Sequence, residues 1–293
     1  MSKITITGAS GQFGKATVDF LIEKGVKASE ITGLVRDESK AKDLTAQGVS
    51  IKIGDYDNYD SLVAAFQGAE KVLLISGTDL ANRSAQHKNV INAAKEAGVA
   101  HVLYTSFERK NEGADSPMAF LGQSHIETDQ ALKASGLNYT IFRNNLYLEV
   151  IPMFVGEQVL DSGIFFPAGE GKVAFADRDN LAEAAANVLL GAGHENREYT
   201  MSNDENYTFQ TIADELAELT GKDIAYVSPS SEVYSDTLTK AGVPAEYIGM
   251  FVSFAEAIKQ GEFETEKSDL EALLGRRPTD LKSYLAKTYA SDK

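Results

Sequence analysis

The stretch Lys3-Ile4-Thr5-Ile6-Thr7-Gly8-Ala9-Ser10-Gly11-Gln12-Phe13-Gly14 decides how this chain folds. An apolar strand runs into a glycine-rich turn, and a helical pattern follows at once. Gly8 lets the strand turn sharply. Gly11 omits a Cβ where a pyrophosphate must approach the backbone, and Gly14 lets the helix pack close to the strand. The N–H groups of the turn and the helix N-terminus offer a fixed positive site for phosphate. The spacing is G-x-x-G-x-x-G, not the G-x-G-x-x-G of many dinucleotide sites. Alone it marks a tight turn; directly after an N-terminal strand it reads as a dinucleotide site. The expected cofactor contacts in this turn are Gly8, Ala9, Ser10, Gly11, Gln12 and Phe13.

Outward from this turn, strand and helix patterns alternate over the first 145 residues. Apolar runs occur at Ile4–Thr7, Ile31–Val35, Val49–Ile53, Val72–Ile75, His101–Thr105 and Tyr139–Phe142. Between them lie stretches with apolar positions three and four apart, such as Val90, Ala93, Ala94 and Ala97, closed by Gly98. Such alternation implies the α/β class: a Rossmann-type doubly wound parallel sheet covered by helices on both faces. After Tyr147 the pattern changes. Ile164–Gly171 reads as a short strand and turn, Leu181–Leu189 as a helix and Tyr199–Met201 as a last strand of the sheet. The rest is helical, with one strand-like run at Ile224–Val227. The expected division is a Rossmann domain over 1–150, completed by segments near 179–202. A smaller, mainly helical C-terminal cap domain takes 151–178 and 203–293, and the cleft between the two is the expected substrate site.

The 293 residues carry a net charge of -15, which repels nucleic-acid phosphates and anionic lipids. No apolar run reaches the roughly 18 residues needed to span a bilayer. The N-terminus lacks the basic and long apolar segments of a signal peptide. There is no cysteine, so disulfides, thiolate metal sites and thiol catalysis are excluded. His87, His101, His125 and His194 are scattered, and no metal site is expected. These features point to a cytoplasmic protein that binds small molecules, with neither nucleic acid nor membrane as partner. They leave homo-oligomerisation open.

Ligands of such sheets bind beyond the carboxyl ends of the strands. After the second strand stands Arg36. An arginine there accommodates a 2′-phosphate, with Lys40 adding charge, so NADP(H) is favoured over NAD(H). Asp37 beside it can also reach the ribose. After the third strand, Asp55 can accept from an adenine amino group and Tyr56 can flank the ring. After the fourth, Ser76, Gly77 and Thr78 leave room for the nicotinamide ribose. After the fifth, Thr105, Ser106 and Phe107 lie where a reductase places substrate-facing groups.

Taken together, Gly8–Gly14, Leu34-Val35-Arg36, Gln86–Ile91, His125-Ile126-Glu127-Thr128 and Tyr139–Asn144 resemble the short-chain dehydrogenase/reductase superfamily. The similarity is to its atypical, NmrA-like branch, and within that to the NAD(P)H:quinone oxidoreductase type and the triphenylmethane reductases. It covers essentially the whole chain. Most of the superfamily uses Tyr-x-x-x-Lys on the helix after the fifth strand, the tyrosine giving a proton to the reduced carbonyl. The equivalent stretch here is Leu121–His125, with Leu121 in place of tyrosine and His125 in place of lysine. The resemblance implies that His125 neighbours the nicotinamide ribose. It also implies that Asn144 meets the nicotinamide or the substrate, and that Gln86 and His87 brace nearby loops. Asn145 departs from the glycine usual in the quinone reductase type.

Leucine cannot transfer a proton, so reduction of an ordinary ketone loses its general acid. A quinone is different: it is a strong electrophile, and its reduced form is an aromatic phenolate that tolerates delayed protonation by water. The sequence therefore favours a reductase of quinones or similar conjugated acceptors, which need position more than proton donation. No catalytic residue is assigned; Phe107, Asn144 and Tyr147 are candidates for the substrate pocket. The alternative is an NmrA-like dinucleotide-binding redox sensor acting through a protein partner. A sugar-nucleotide epimerase fits the layout but suffers from the missing tyrosine.

Overall fold

The computed structural model describes residues 3–290; residues 1, 2 and 291–293, at the outer limits of the two expected domains, lie outside the described residues. The strands are β1 (Ile4–Ile6), β2 (Ile31–Val35), β3 (Ser50–Ile53), β4 (Lys71–Leu74), β5 (His101–Phe107), β6 (Asn138–Asn144), β7 (Ile164–Phe165), β8 (Arg197–Met201) and β9 (Tyr226–Val227). The helices between the first strands are α1 (Gln12–Glu23), α2 (Lys42–Ala46), α3 (Tyr59–Phe66), α4 (Arg83–Glu96) and α5 (Ala119–Ala134). Beyond β6 come α6 (Ile151–Val155), α7 (Val159–Ser162), α8 (Arg178–Leu190), α9 (Phe209–Thr220), α10 (Ser231–Lys240), α11 (Ala245–Lys259), α12 (Leu270–Leu274) and α13 (Leu281–Tyr289).

Seven strands form one parallel sheet in the order β3-β2-β1-β4-β5-β6-β8. Every residue of β1, β2 and β5 is buried, as a parallel sheet covered on both faces demands. One face is covered by α1 and α8, whose Val18, Leu21, Leu181 and Ala185 share a core with Ile6, Leu73 and Phe142. The other is covered by α3, α4 and α5, where Phe66, Val90 and Leu132 pack on Leu34, Leu74 and Tyr104. Successive strands run outward from β1 to β3, then return to the other side of β1 at β4. That reversal opens a crevice above the carboxyl ends of β1 and β4.

Most of the segments expected to form the cap share a third core in which Phe154, Phe166, Phe209 and Phe254 interlock. A two-stranded sheet pairs β7 with β9 in parallel. Phe107, at the end of β5, packs edge-on against Phe263 and so touches both parts. Strand β8 joins the large sheet beside β6, and the Leu270 and Leu274 side chains of α12 enter the core shared by α1 and α8.

Candidate functional site

The crevice holds a cavity of about 370 Å³. It is lined by the glycine turn (Gly8, Ser10, Gly11), the end of β2 (Val35, Arg36, Asp37, Lys40), the β3–α3 turn (Gly54–Asp57) and the β4–α4 loop (Ile75–Asp79). Gly8 has φ +57, a left-handed conformation that favours glycine. A Cβ on Gly14 would lie 2.5 Å from the Gly8 carbonyl oxygen and 2.8 Å from Ala9 Cα. The close approach of α1 to β1 therefore depends on a bare glycine. No side chain caps α1 at Gly11, which leaves the N–H groups of its first turn available to an anion. Among the described residues, neither Arg36 nor Lys40 has a carboxylate within 4.0 Å. Asp37 turns a carboxylate oxygen to the Ser39 N–H at 2.9 Å, capping its own turn. Asp55 does the same to Asp57 N–H at 3.0 Å. This donor set fits a dinucleotide carrying a 2′-phosphate: bare amides for the diphosphate and two unpaired cations beside the ribose.

Of the residues expected to meet a cofactor, Gly8, Ser10, Gly11, Arg36, Asp55, Tyr56, Ser76, Gly77 and Thr78 line the cavity. Gln12 is exposed at the start of α1, while Ala9, Phe13, Thr105, Ser106, His125 and Asn144 are buried outside the lining. Thr105 and other buried side chains stand behind the wall and hold it. Thr7 Oγ1 accepts from Ile75 N–H at 3.0 Å, and the Tyr56 hydroxyl donates to Ile75 O at 2.8 Å. Thr105 Oγ1 accepts from Ser76 N–H at 2.9 Å. His87 Nε2 accepts from Gly77 N–H at 3.0 Å, and Arg83 Nε donates to Gly77 O at 2.7 Å. Gln86, which also lines the cavity, donates to Asp57 at 2.9 Å. Burial of the Tyr56 ring and hydroxyl raises its pKa, so it remains a neutral donor. Arg83 carries no signal in the sequence, since an arginine at a helix start breaks no periodic pattern; Asp79 also joins the lining unanticipated.

The residues expected to face a substrate, Phe107, Asn144 and Tyr147, lie at and beyond the ends of β5 and β6, outside the lining of this cavity. Phe107 and Asn144 face each other in register, and the Phe107 ring lies 5.8 Å from the His125 ring, tilted by 31°. Asn144 donates to the Tyr147 hydroxyl at 3.3 Å, and its own carbonyl oxygen is buried without a partner, as is Ser106 Oγ. Arg178, at the start of α8, lays its guanidinium 5.0 Å over the Tyr147 ring and bonds Gln12 of the glycine turn. It thus links the glycine turn to Tyr147. Leu121 is half-buried against the cap core, with no proton donor in its place. Below Phe107, Glu108 accepts from Asn145 Nδ2 at 3.0 Å and from Thr265 Oγ1 at 2.9 Å. Burial pushes this carboxyl up to about 7. Among the described residues, no helix is long and apolar enough to cross a membrane.

Comparison with known proteins places these features in a family. The NmrA-like family model matches residues 1–285. Quinone oxidoreductase 2 of Escherichia coli (strain K12) is 39% identical over 280 residues, covering 95% of this chain and 96% of that protein. The crystal structure of an NADPH-dependent quinone oxidoreductase from Escherichia coli, in complex with NADPH, superposes with a TM-score of 0.91 at 35% identity, covering 98% of this chain and 99% of that one. The Citrobacter sp. triphenylmethane reductase complexed with NADP(H) gives a TM-score of 0.88 at 35% identity, covering 97% and 99%. With its glycine turn, its switch-point crevice and a match along nearly its whole length, the chain belongs to the NmrA-like family.

Proposed function

We propose that this chain is an NADPH-dependent reductase that delivers hydride to a quinone or a similarly conjugated acceptor. The observation that carries this reading is the pairing of a phosphate-ready crevice with a leucine, Leu121, packed against the apolar core where the family resemblance implies a proton-giving tyrosine. Bound NADPH supplies the hydride. The chain's own residues do the rest. The first-turn amides of α1 receive the diphosphate, and Arg36 with Lys40 engages the 2′-phosphate. Tyr56 borders the adenine end of the cavity, and the Ile75–Gly77 backbone supports the nicotinamide ribose. Phe107 and Tyr147 form flat walls that orient a planar acceptor, which is where the rate gain from positioning arises. Hydride addition turns a neutral quinone into an aromatic monoanion; water provides the proton afterwards, so Leu121 costs the reaction nothing.

The acidic surface keeps nucleic acid away, and the chain acts on small molecules in the cytoplasm. The test is oxidation of NADPH, followed by absorbance, across a panel of quinones, triphenylmethane dyes and azo compounds. Acceleration by quinones is expected. NADPH binding without acceleration by any acceptor would instead support the partner-binding sensor.

A further inference from the structure

Gly77 lies in the wall of the crevice, and buried side chains hold the peptides on both sides of it: His87 takes its N–H and Arg83 its carbonyl. Arg83, 5% exposed, donates to the Gly77 carbonyl oxygen. The Arg83 Nη1 group also reaches His125 Nε2 at 3.1 Å and Ser124 Oγ at 3.4 Å. A guanidinium only donates, so His125 Nε2 carries the lone pair and His125 Nδ1–H donates to the Tyr104 hydroxyl at 2.6 Å. The same logic applies on the amide side. Gly77 N–H is a donor, so His87 Nε2 accepts, and His87 Nδ1–H donates to Thr128 Oγ1 at 2.9 Å. Both tautomers are thereby fixed. Burial, and then the Arg83 charge, push His125 well below its ordinary pKa and His87 down to about 3. Among the described residues, no carboxylate lies within 4.0 Å of the Arg83 guanidinium.

We propose that Arg83, oriented by His125, and His87 form a clamp that fixes the two peptides flanking Gly77 in the conformation on which the nicotinamide-ribose half of NADPH rests. The proposal rests on the reading of the crevice as an NADPH site. It gives His125 a different task from the one the family resemblance implies: both ring nitrogens are used within the protein, so His125 acts through Arg83. Arg83, His125 and His87 are positioning residues. Their physical effect is pre-organisation. An unclamped glycine peptide must be ordered when the cofactor binds, and the entropy lost then weakens binding by about tenfold.

The test uses the full chain with Arg83→Met, Arg83→Lys, His125→Leu and His125→Gln, each checked by thermal unfolding. Amide hydrogen exchange over residues 75–78 is measured without cofactor, and NADPH affinity by fluorescence titration. Arg83→Met and His125→Leu should speed exchange at Gly77 and weaken NADPH by about tenfold, with kcat at saturating NADPH changed by less than about threefold. His125→Gln keeps a carbonyl oxygen for Arg83 and should recover most of the lost affinity. Arg83→Lys keeps a donor to Gly77 O and should fall between. Unchanged exchange and affinity in folded Arg83→Met would overturn the clamp. So would a loss of kcat of about tenfold or more at saturating NADPH in both His125→Leu and His125→Gln, because His125 would then meet the reacting groups itself. If the wild-type chain binds no NADPH, the cofactor reading fails, and the exchange arm still judges the clamp alone.

Discussion

Asn145 donates 3.0 Å to the Glu108 carboxylate and 3.0 Å to the Phe263 carbonyl, tying the ends of β5 and β6 to the cap. Asn145 stands where the family resemblance implies glycine, and these bonds give the side chain a physical role. Asn145→Gly removes a buried donor shared by three segments and leaves the Glu108 and Phe263 oxygens short of a partner. A loss of about 2 kcal/mol in urea unfolding is expected. A change below about 0.5 kcal/mol would mean that the seam contributes nothing.

The Glu108 carboxyl also makes stability depend on pH. Its folded value is raised from 4.5 to about 7, by burial first, with Thr265, Asn145, Lys110 and Arg143 pulling it back down. The native state therefore holds a proton that the unfolded chain releases from about pH 4.5 upward. Glu108 favours folding most below its unfolded pKa; this contribution falls between pH 4.5 and about 7 and is level above. Glu108→Gln cannot ionise, and the Thr265 hydroxyl can accept from its amide as readily as it donates to a carboxylate. The variant should gain up to about 3 kcal/mol over the wild type on going from pH 4.5 to pH 8. Denaturation curves that stay parallel across that range would contradict the assignment.

Arg36 should decide between the two pyridine nucleotides. A guanidinium bond to a phosphate is worth about 1.5–3 kcal/mol, so Arg36→Ala should raise the KM for NADPH roughly 10- to 100-fold. The KM for NADH should barely move, and Lys40 should retain part of the preference. Equal losses for both nucleotides would remove Arg36 from the 2′-phosphate.

Two glycines make opposite predictions. Alanine at Gly14 would press its Cβ into the backbone of Gly8 and Ala9, which cannot yield as a side chain can. Gly14→Ala should destabilise the fold by more than about 2 kcal/mol and abolish NADPH binding. Gly249 lies exposed in α11, with nothing within 4 Å of the same atom. Gly249→Ala should stabilise by about 0.5–1 kcal/mol. Calorimetric melting of the two variants separates a steric requirement from mere helix propensity.

The sheet was legible because buried parallel strands are continuous apolar runs. The ends of β5 and β6 were harder to read. Ser106, Arg143 and Asn144 break the apolar pattern, yet the two strands stay paired in register through Ser106–Arg143 and Phe107–Asn144. The glycine turn, Arg36, Tyr56 and the Ser76–Thr78 loop follow from the rule that ligands lie beyond strand ends; Gly8, Ser10 and Gly11 of the turn line the crevice with the others, while Ala9, Gln12 and Phe13 do not. What the sequence could not show is which polar groups face the cavity and which hold its wall. Thr105 and His125 occupy strand-end and helix positions suited to cofactor contact, but their bonds run to Ser76 N–H, Arg83 and Tyr104. Those partners are distant along the chain, and only the packing of α4 and α5 against β4 and β5 brings them together.

The central claim is that this chain transfers hydride to acceptors that need no protein acid. It is tested most directly by NADPH oxidation rates with a neutral quinone and with a simple ketone of similar size, under identical conditions. Rapid turnover of the quinone, with the ketone no faster than the blank, is the predicted result. Reduction of the ketone at the quinone's rate, or of neither above the blank, would contradict the account.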